Sequence, residues 1–194
     1  DAQSIYERSR TRQFSFRSVG VQARGRTTIL KINYRNTRQI LQTASLIAAD
    51  LLTDEDRDED GIPLVRPVSC GREGDAPLVL RLPSLRDETQ RIAELLREAH
   101  DQGQTRWGDM AVICRRHAVM DAVAAALARL RLPYQLRRGS GDFQPQADTI
   151  KILTMHASKG LEFPIVALPG IGQMPGAGED ERDEARIFYV AATR

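Results

Sequence analysis

The spacing of apolar residues changes period several times along the chain, and the changes outline alternating strands and helices. Residues 27–34 (TTILKINY) alternate and are β-branched, which predicts a strand. Asn36 or Thr37 is placed to cap the segment RQILQTASLIAADLL that follows. There Ile40, Leu41, Ala44, Ile47, Ala48 and Leu51 fall on one side of a helix. The acidic run 54–60 reads as a solvated loop, residues 77–83 (PLVLRLP) as a short strand, and residues 87–100 as a helix buried through Ile92, Leu95 and Leu96. Residues 110–115 (MAVICR) have the continuous apolar character of a strand covered on both faces. An Ala-rich helix over 118–130 and a strand at PYQLR follow, then a flexible connection at 137–148 (RRGSGDFQPQAD). TIKILTM and FPIVALPGI read as strands, GAGED as a loop, and 181–194 as a helix with an acidic first turn.

Strands alternating with helices of this length specify an α/β domain with a mainly parallel sheet and helices on both faces. In such a sheet, functional residues gather in the loops beyond the carboxyl ends of the strands. The length of 194 residues suits one sizeable domain, and 41% hydrophobic with 28% charged residues is ordinary globular composition. A net charge of +2 gives no global electrostatic case for nucleic-acid binding and leaves only local patches. Nearly all the positive charge is Arg; Lys occurs only at Lys31, Lys151 and Lys159. Cys70 and Cys114 lack the paired spacing of a zinc site. No apolar run reaches the roughly 18 residues of a membrane span and no secretory signal opens the chain, so a cytoplasmic protein with no membrane partner is expected. The opening DAQSIY and the ending YVAATR are both mid-pattern, as in a piece of a longer polypeptide.

The chemistry is as notable for what is missing. There is no GxxxxGK[ST] loop to cradle phosphates and no strand ending in an acidic pair for magnesium, so any nucleotide chemistry needs parts from elsewhere. Four segments carry candidate groups. TMHASKGLEF (154–163) collects Thr154, His156, Ser158, Lys159, Gly160 and Glu162 in one strand-end loop, types suited to phosphate, base and sugar contacts. INYRNT (32–37) offers the Tyr34 ring for stacking beside the Arg35 guanidinium. DEARIFYVAATR (183–194) spaces Ala185, Phe188, Ala191 and Ala192 for burial and ends on Arg194. DAQSIY (1–6) supplies Gln3 and Tyr6.

In this order the four segments resemble motifs III (DAQSIY), IV (INYRNT), V (TMHASKGLEF) and VI (DEARIFYVAATR) of the superfamily 1 helicases of the UvrD/Rep/PcrA type. The resemblance implies a RecA-like second motor domain over 27–194, preceded by a motif III remnant and linker at 1–26. A short 137–148 loop stands where the family carries its 2B-type inserted domain. It implies ATP as the cofactor, with Mg2+ held by an N-terminal RecA-like domain of the same parent chain, and single-stranded DNA as the substrate, tracked 3′ to 5′ in replication or repair. Arg35 and Arg194 become arginine fingers, and Gln3 a link between γ-phosphate and DNA. Tyr34 stacks on adenine, Glu162 meets the ribose in a loop shaped by Lys159 and Gly160, and Tyr6, Thr154 and His156 touch DNA. The family continues motif III into an aromatic-Arg-Gly element that stacks bases; this chain departs from it with ERSRTRQFSFRS, where Phe14 and Phe16 are the candidate substitutes. On this reading the chain alone is inactive. The alternative is a non-catalytic nucleic-acid-binding or regulatory module on the same fold; Gln3, Arg35, Glu162 and Arg194 argue against it, because a pure binder has no use for phosphate fingers.

Overall fold

The computed structural model describes residues 32–48, 68–103, 105–139 and 143–194. The expectations for Gln3, Tyr6, Phe14, Phe16, most of strand 27–34, Leu51 and the acidic loop 54–60 therefore lie outside the described residues, as do the side chains of Ile47 and Ala48. The chain divides into two compact units, one formed by 1–77 with 177–193 and the other by 78–176 with Arg194.

In the first unit, β1 (Ile32–Asn33) pairs in parallel with β2 (Val68–Ser69). Helix α1 (Arg38–Ala48) starts at Thr37, whose hydroxyl accepts the Ile40 amide at 3.3 Å; of the two cap candidates, Thr37 takes the role. Asn36 is buried instead. Leu41 and Ala44 are the buried positions of α1, and Ala44 packs against Tyr189 and Ala192 of the final helix of the chain.

In the second unit the elements are α2 (Leu85–Asp101), β3 (Met110–Cys114), α3 (His117–Arg129), β4 (Tyr134–Leu136), β5 (Ile150–Thr154) and β6 (Ile165–Ala167). The four strands form an all-parallel sheet in the order β4-β5-β3-β6. Helix α2 begins two residues before the pattern predicts. Ser84 accepts the Asp87 amide, one of the free N–H groups of the first turn, and donates its hydroxyl to the Asp87 carboxylate at 2.6 Å. Ala93 and Leu96 of α2 join Val123 and Leu127 of α3 over Met110, Val112, Ile150 and Ile152. Full burial of each such aliphatic side chain contributes about 1.5–3 kcal/mol. The alternate residues Ala111, Ile113 and Leu153 are equally buried, as a strand covered on both faces requires.

Two expectations fail here. Residues 77–83 form no strand: the segment is irregular, and Leu78, Val79 and Leu80 are exposed. Strand propensity reports packing on a neighbour more than a backbone preference, and prolines at both ends remove ladder donors. Nor is the 137–148 connection loose throughout. The Lys151 ammonium, buried within β5, donates to the carbonyls of Gln144 (2.9 Å) and Ala147 (2.7 Å) and to the Thr149 hydroxyl (2.9 Å). The Gln135 side chain accepts the Gln144 amide at 3.1 Å, and the Asp148 carboxylate accepts the Gly108 amide at 2.8 Å. Residues 143–149 are thus fastened to β4, β5 and the turn before β3. Burial draws the Lys151 ammonium below its ordinary range, and the Asp148 charge works the other way.

Helix α4 (Glu181–Ala192) completes the first unit. The Asp180 carboxylate accepts the Asp183 amide at 3.0 Å, and Glu181, Asp183 and Glu184 place negative charge at the positive end of the helix. Burial reaches past the expected Ala185, Phe188 and Ala191 to Ile187, Tyr189 and Val190, so α4 is covered around most of its circumference; Ala192 is half-buried.

The two cysteines check this packing. Cys70 is exposed, whereas burial pushes the Cys114 thiol up to about 12. One thiol per chain should react quickly with a disulfide reagent near pH 8 and the second only after denaturation. Because the raised value keeps Cys114 protonated in the folded chain, its contribution to stability is present below the unfolded value and is lost as pH rises toward 12. Two fast thiols in the native protein would contradict the buried β3.

Candidate functional site

The first cluster is built by Asn33. Its side-chain oxygen accepts the amides of Arg35 (2.9 Å) and Asn36 (3.0 Å), and its side-chain nitrogen donates to Asn36 Oδ1 at 3.1 Å. This Asx turn takes up the backbone at the end of β1 and leaves Tyr34 71% exposed and Arg35 exposed beside it. The Arg35 carbonyl accepts from Arg72 Nη1 at 3.4 Å, and the Arg72 carbonyl accepts the Arg38 amide at 2.8 Å. One residue on, the Glu73 carboxylate accepts from Arg38 (3.1 Å) and from Gln39 (2.6 Å). The Gln39 bond is the main reason the Glu73 carboxyl lies below its ordinary range. The chain after β2 therefore clamps the start of α1, and with it the Tyr34–Arg35 turn. Sequence reasoning did not single out Asn33 or Arg72; an asparagine at a strand end, followed by Asn and Thr, was the available signal.

The second cluster follows β5. The Thr154 hydroxyl accepts the Ala157 amide at 3.1 Å, and the Thr154 carbonyl accepts the Ser158 amide at 3.0 Å. Ser158 is fully buried and donates to the Met155 carbonyl at 2.7 Å, so its hydroxyl faces inward and supports the turn. Lys159, Gly160 and Glu162 are exposed, and Thr154 and His156 are half-buried. Gly160 has φ +86°, a left-handed conformation that L side chains rarely adopt. The structure thus brings Thr154, His156, Lys159, Gly160 and Glu162 into one loop at the carboxyl end of a central strand. The Phe163 amide donates to the Arg194 carbonyl at 3.4 Å, which sets the backbone of Arg194 at the exit of this loop.

The third cluster is the end of α4. The Thr193 hydroxyl donates back to the Tyr189 carbonyl at 2.9 Å and finishes the helix just before Arg194, which is half-buried. The helix that follows Arg35 and the helix that precedes Arg194 pack on each other through Ala44, Tyr189 and Ala192. Arg186 pairs with Asp183 at 3.1 Å, and Glu184 is buried; neither drew attention in the sequence. Among the described residues, no group of three acidic, histidine or cysteine side chains could hold a metal, and no helix is long and apolar enough to cross a membrane.

The family described as UvrD-like helicase C-terminal domain matches this chain over residues 28–143 and 135–194. The chain belongs to that family. The two matched stretches meet at 135–143, within the connection between β4 and β5. Among related proteins, a probable DNA helicase of Mycoplasma pneumoniae is 28% identical over 170 residues, covering 84% of this chain and 29% of that protein. The ATP-dependent DNA helicase Rep of Escherichia coli is 38% identical over 60 residues, which is 28% of this chain and 9% of Rep. The chain thus spans well under a third of these relatives. The crystal structure of the C-terminal domain of a possible DNA helicase from Lactobacillus plantarum WCFS1 shares the fold, with a TM-score of 0.58 at 20% identity, covering 83% of this chain and 81% of that one. The α/β fold of this UvrD-like domain is thereby the RecA-like one read from the sequence.

Gly160 gives a direct check on the loop. A Cβ there meets nothing within 4 Å, so only the left-handed backbone opposes substitution. Gly160→Ala should cost about 1 kcal/mol in denaturant unfolding. Gly139→Ala, equally open and without the positive φ, should be neutral or slightly stabilising. Equal effects at the two sites would contradict the turn.

Proposed function

We propose that this UvrD-like domain is the second motor half of an ATP-dependent DNA helicase or translocase. It would complete an ATP site whose phosphate loop and Mg2+ ligands lie on an N-terminal RecA-like domain of the parent chain, and would track single-stranded DNA 3′ to 5′. The observation that carries this reading is the packing of α1 on α4 through Ala44, Tyr189 and Ala192. It seats the helix that follows Arg35 against the helix that precedes Arg194.

The residues suit ATP without holding it alone. The exposed Tyr34 ring offers a stacking face for adenine, and Glu162, in the loop shaped by Lys159 and Gly160, offers a carboxylate for ribose hydroxyls. Arg35 and Arg194 supply planar donors for a γ-phosphate presented from across a cleft, with Gln3 linking that phosphate to DNA. Bound Mg2+–ATP would bring the phosphoryl group; these residues would bind, orient and neutralise it. Tyr6, Thr154 and His156 are assigned to DNA. Because the Thr154 hydroxyl oxygen already accepts an amide inside the turn, its proton is the part free to donate outward. Arginines on a separate domain make hydrolysis depend on closure of the two domains, and that dependence converts turnover into stepping.

The test uses a polypeptide in which this domain is joined to its N-terminal motor half. Arg35→Ala or Arg194→Ala should lower DNA-stimulated ATPase by roughly 10³-fold or more while leaving oligonucleotide affinity within about twofold. His156→Ala should do the reverse, weakening stimulation by DNA more than basal turnover. Normal turnover in both arginine variants would remove the finger assignment and favour a non-catalytic binding module.

A further inference from the structure

The connection between β4 and β5 reaches the loop after β5 through the Arg137 side chain. The Arg137 amide continues the β4–β5 ladder by donating to the Ile152 carbonyl at 2.8 Å, which fixes where the side chain begins. Its guanidinium then donates to the Ala157 carbonyl at 3.2 Å, at the top of the turn that carries His156, Lys159 and Glu162.

That carbonyl stands out among its neighbours. Thr154 and His156 carbonyls accept the amides of Ser158 and Lys159, Met155 accepts the Ser158 hydroxyl, and Ser158 accepts the Leu161 amide. Among the carbonyls of 154–158, those of Thr154, Met155, His156 and Ser158 are held from within the turn, and that of Ala157 is held from another strand end. Behind Arg137 stands Phe143, whose ring centroid is 5.0 Å from the guanidinium carbon and 5.7 Å from the Lys151 ammonium. The same ammonium holds the carbonyls of Gln144 and Ala147, so the segment that presents Phe143 is itself tied to β5. The chain of contacts is continuous: Lys151 anchors the segment, the segment presents Phe143, Phe143 flanks Arg137, and Arg137 holds Ala157.

We propose that Arg137 is a positioning residue for the 154–161 turn, set by the tethered 143–149 segment, so that this segment controls how His156 and Lys159 meet nucleic acid. The last part rests on the functional reading above; the brace itself does not.

Amide hydrogen exchange on the 194-residue chain tests the brace, with binding of an oligo-dT probe read on the same variants. Arg137→Ala should speed exchange of the Ser158, Lys159 and Leu161 amides about tenfold, leave β3 and α3 amides protected, and weaken oligo-dT binding about fivefold or more. Arg137→Lys, which keeps a cation and one donor, should recover most of both effects. Phe143→Leu, which keeps apolar bulk but no ring face, should give the same pattern in weaker form and serves if Arg137→Ala fails to fold. Unchanged exchange in the turn, or a rise shared equally by β3, overturns the proposal. A wild-type chain that fails to bind oligo-dT would defeat the functional reading instead, with exchange still deciding the brace.

Discussion

The sheet order of the second unit imposes the constraint on which the functional loop depends. β5 and β6 lie on opposite sides of β3 and run parallel to it, so the chain between them must pass over the end of β3 and return to its start. β5 ends level with Cys114, and β6 begins level with Met110. Residues 155–164 must therefore cross a strand and descend four residues, roughly 13 Å. No helix is available for the return, although parallel neighbours usually need one. The solution is a tight turn at 154–159, a left-handed residue at Gly160 and an extended descent through 161–164. A turn this compact has to satisfy much of its own backbone; Ser158 gives its hydroxyl proton to that task and Thr154 its hydroxyl oxygen. The longer charged groups, Lys159 and Glu162, are thereby displaced outward, where they can meet a ligand.

The same division of labour recurs in the first unit. Asn33 takes up two amides, Thr37 and Asp180 open the helices, and Thr193 closes one, while Tyr34 and Arg35 remain exposed at the turn. Short polar side chains lose little entropy when fixed to adjacent backbone, and long ones reach solvent or ligand. The proposed function, in which a neighbouring domain completes the site, is served by a fold whose helix ends and turns are closed by its own short polar side chains.

Much of this was legible in the sequence, for physical reasons that differ by element. β3 was readable because a strand buried on both faces carries an unbroken apolar run, β5 because Lys151 alone interrupts its run, and α3 and α4 because their buried positions recur at helical spacing. The loop after β5 was readable because a strand end, a glycine and several ligand-type residues coincide. β2 was missed because two residues carry no period. Residues 77–83 were misread because Leu78, Val79 and Leu80 have strand composition, and composition does not supply a pairing edge. The tethered 143–149 segment was hidden because its anchors, Gln135 and Lys151, act mainly on a backbone amide and backbone carbonyls rather than on complementary side chains. A lysine within the apolar run Ile150–Thr154 was the one local sign that something polar covered that face. Arg72 and Arg137 act on backbone carbonyls, which leave no mark in the pattern of side chains.

The central claim is that this chain supplies the second half of an ATP site that neither half completes. Steady-state ATP hydrolysis, with and without oligo-dT, should be compared for three proteins: the 194-residue chain, the N-terminal motor half bearing the phosphate loop, and the two joined. The account predicts DNA-stimulated turnover for the joined protein alone, at least about a hundredfold above either part. Full turnover by the N-terminal half without this chain, or substantial hydrolysis by this chain by itself, would contradict it.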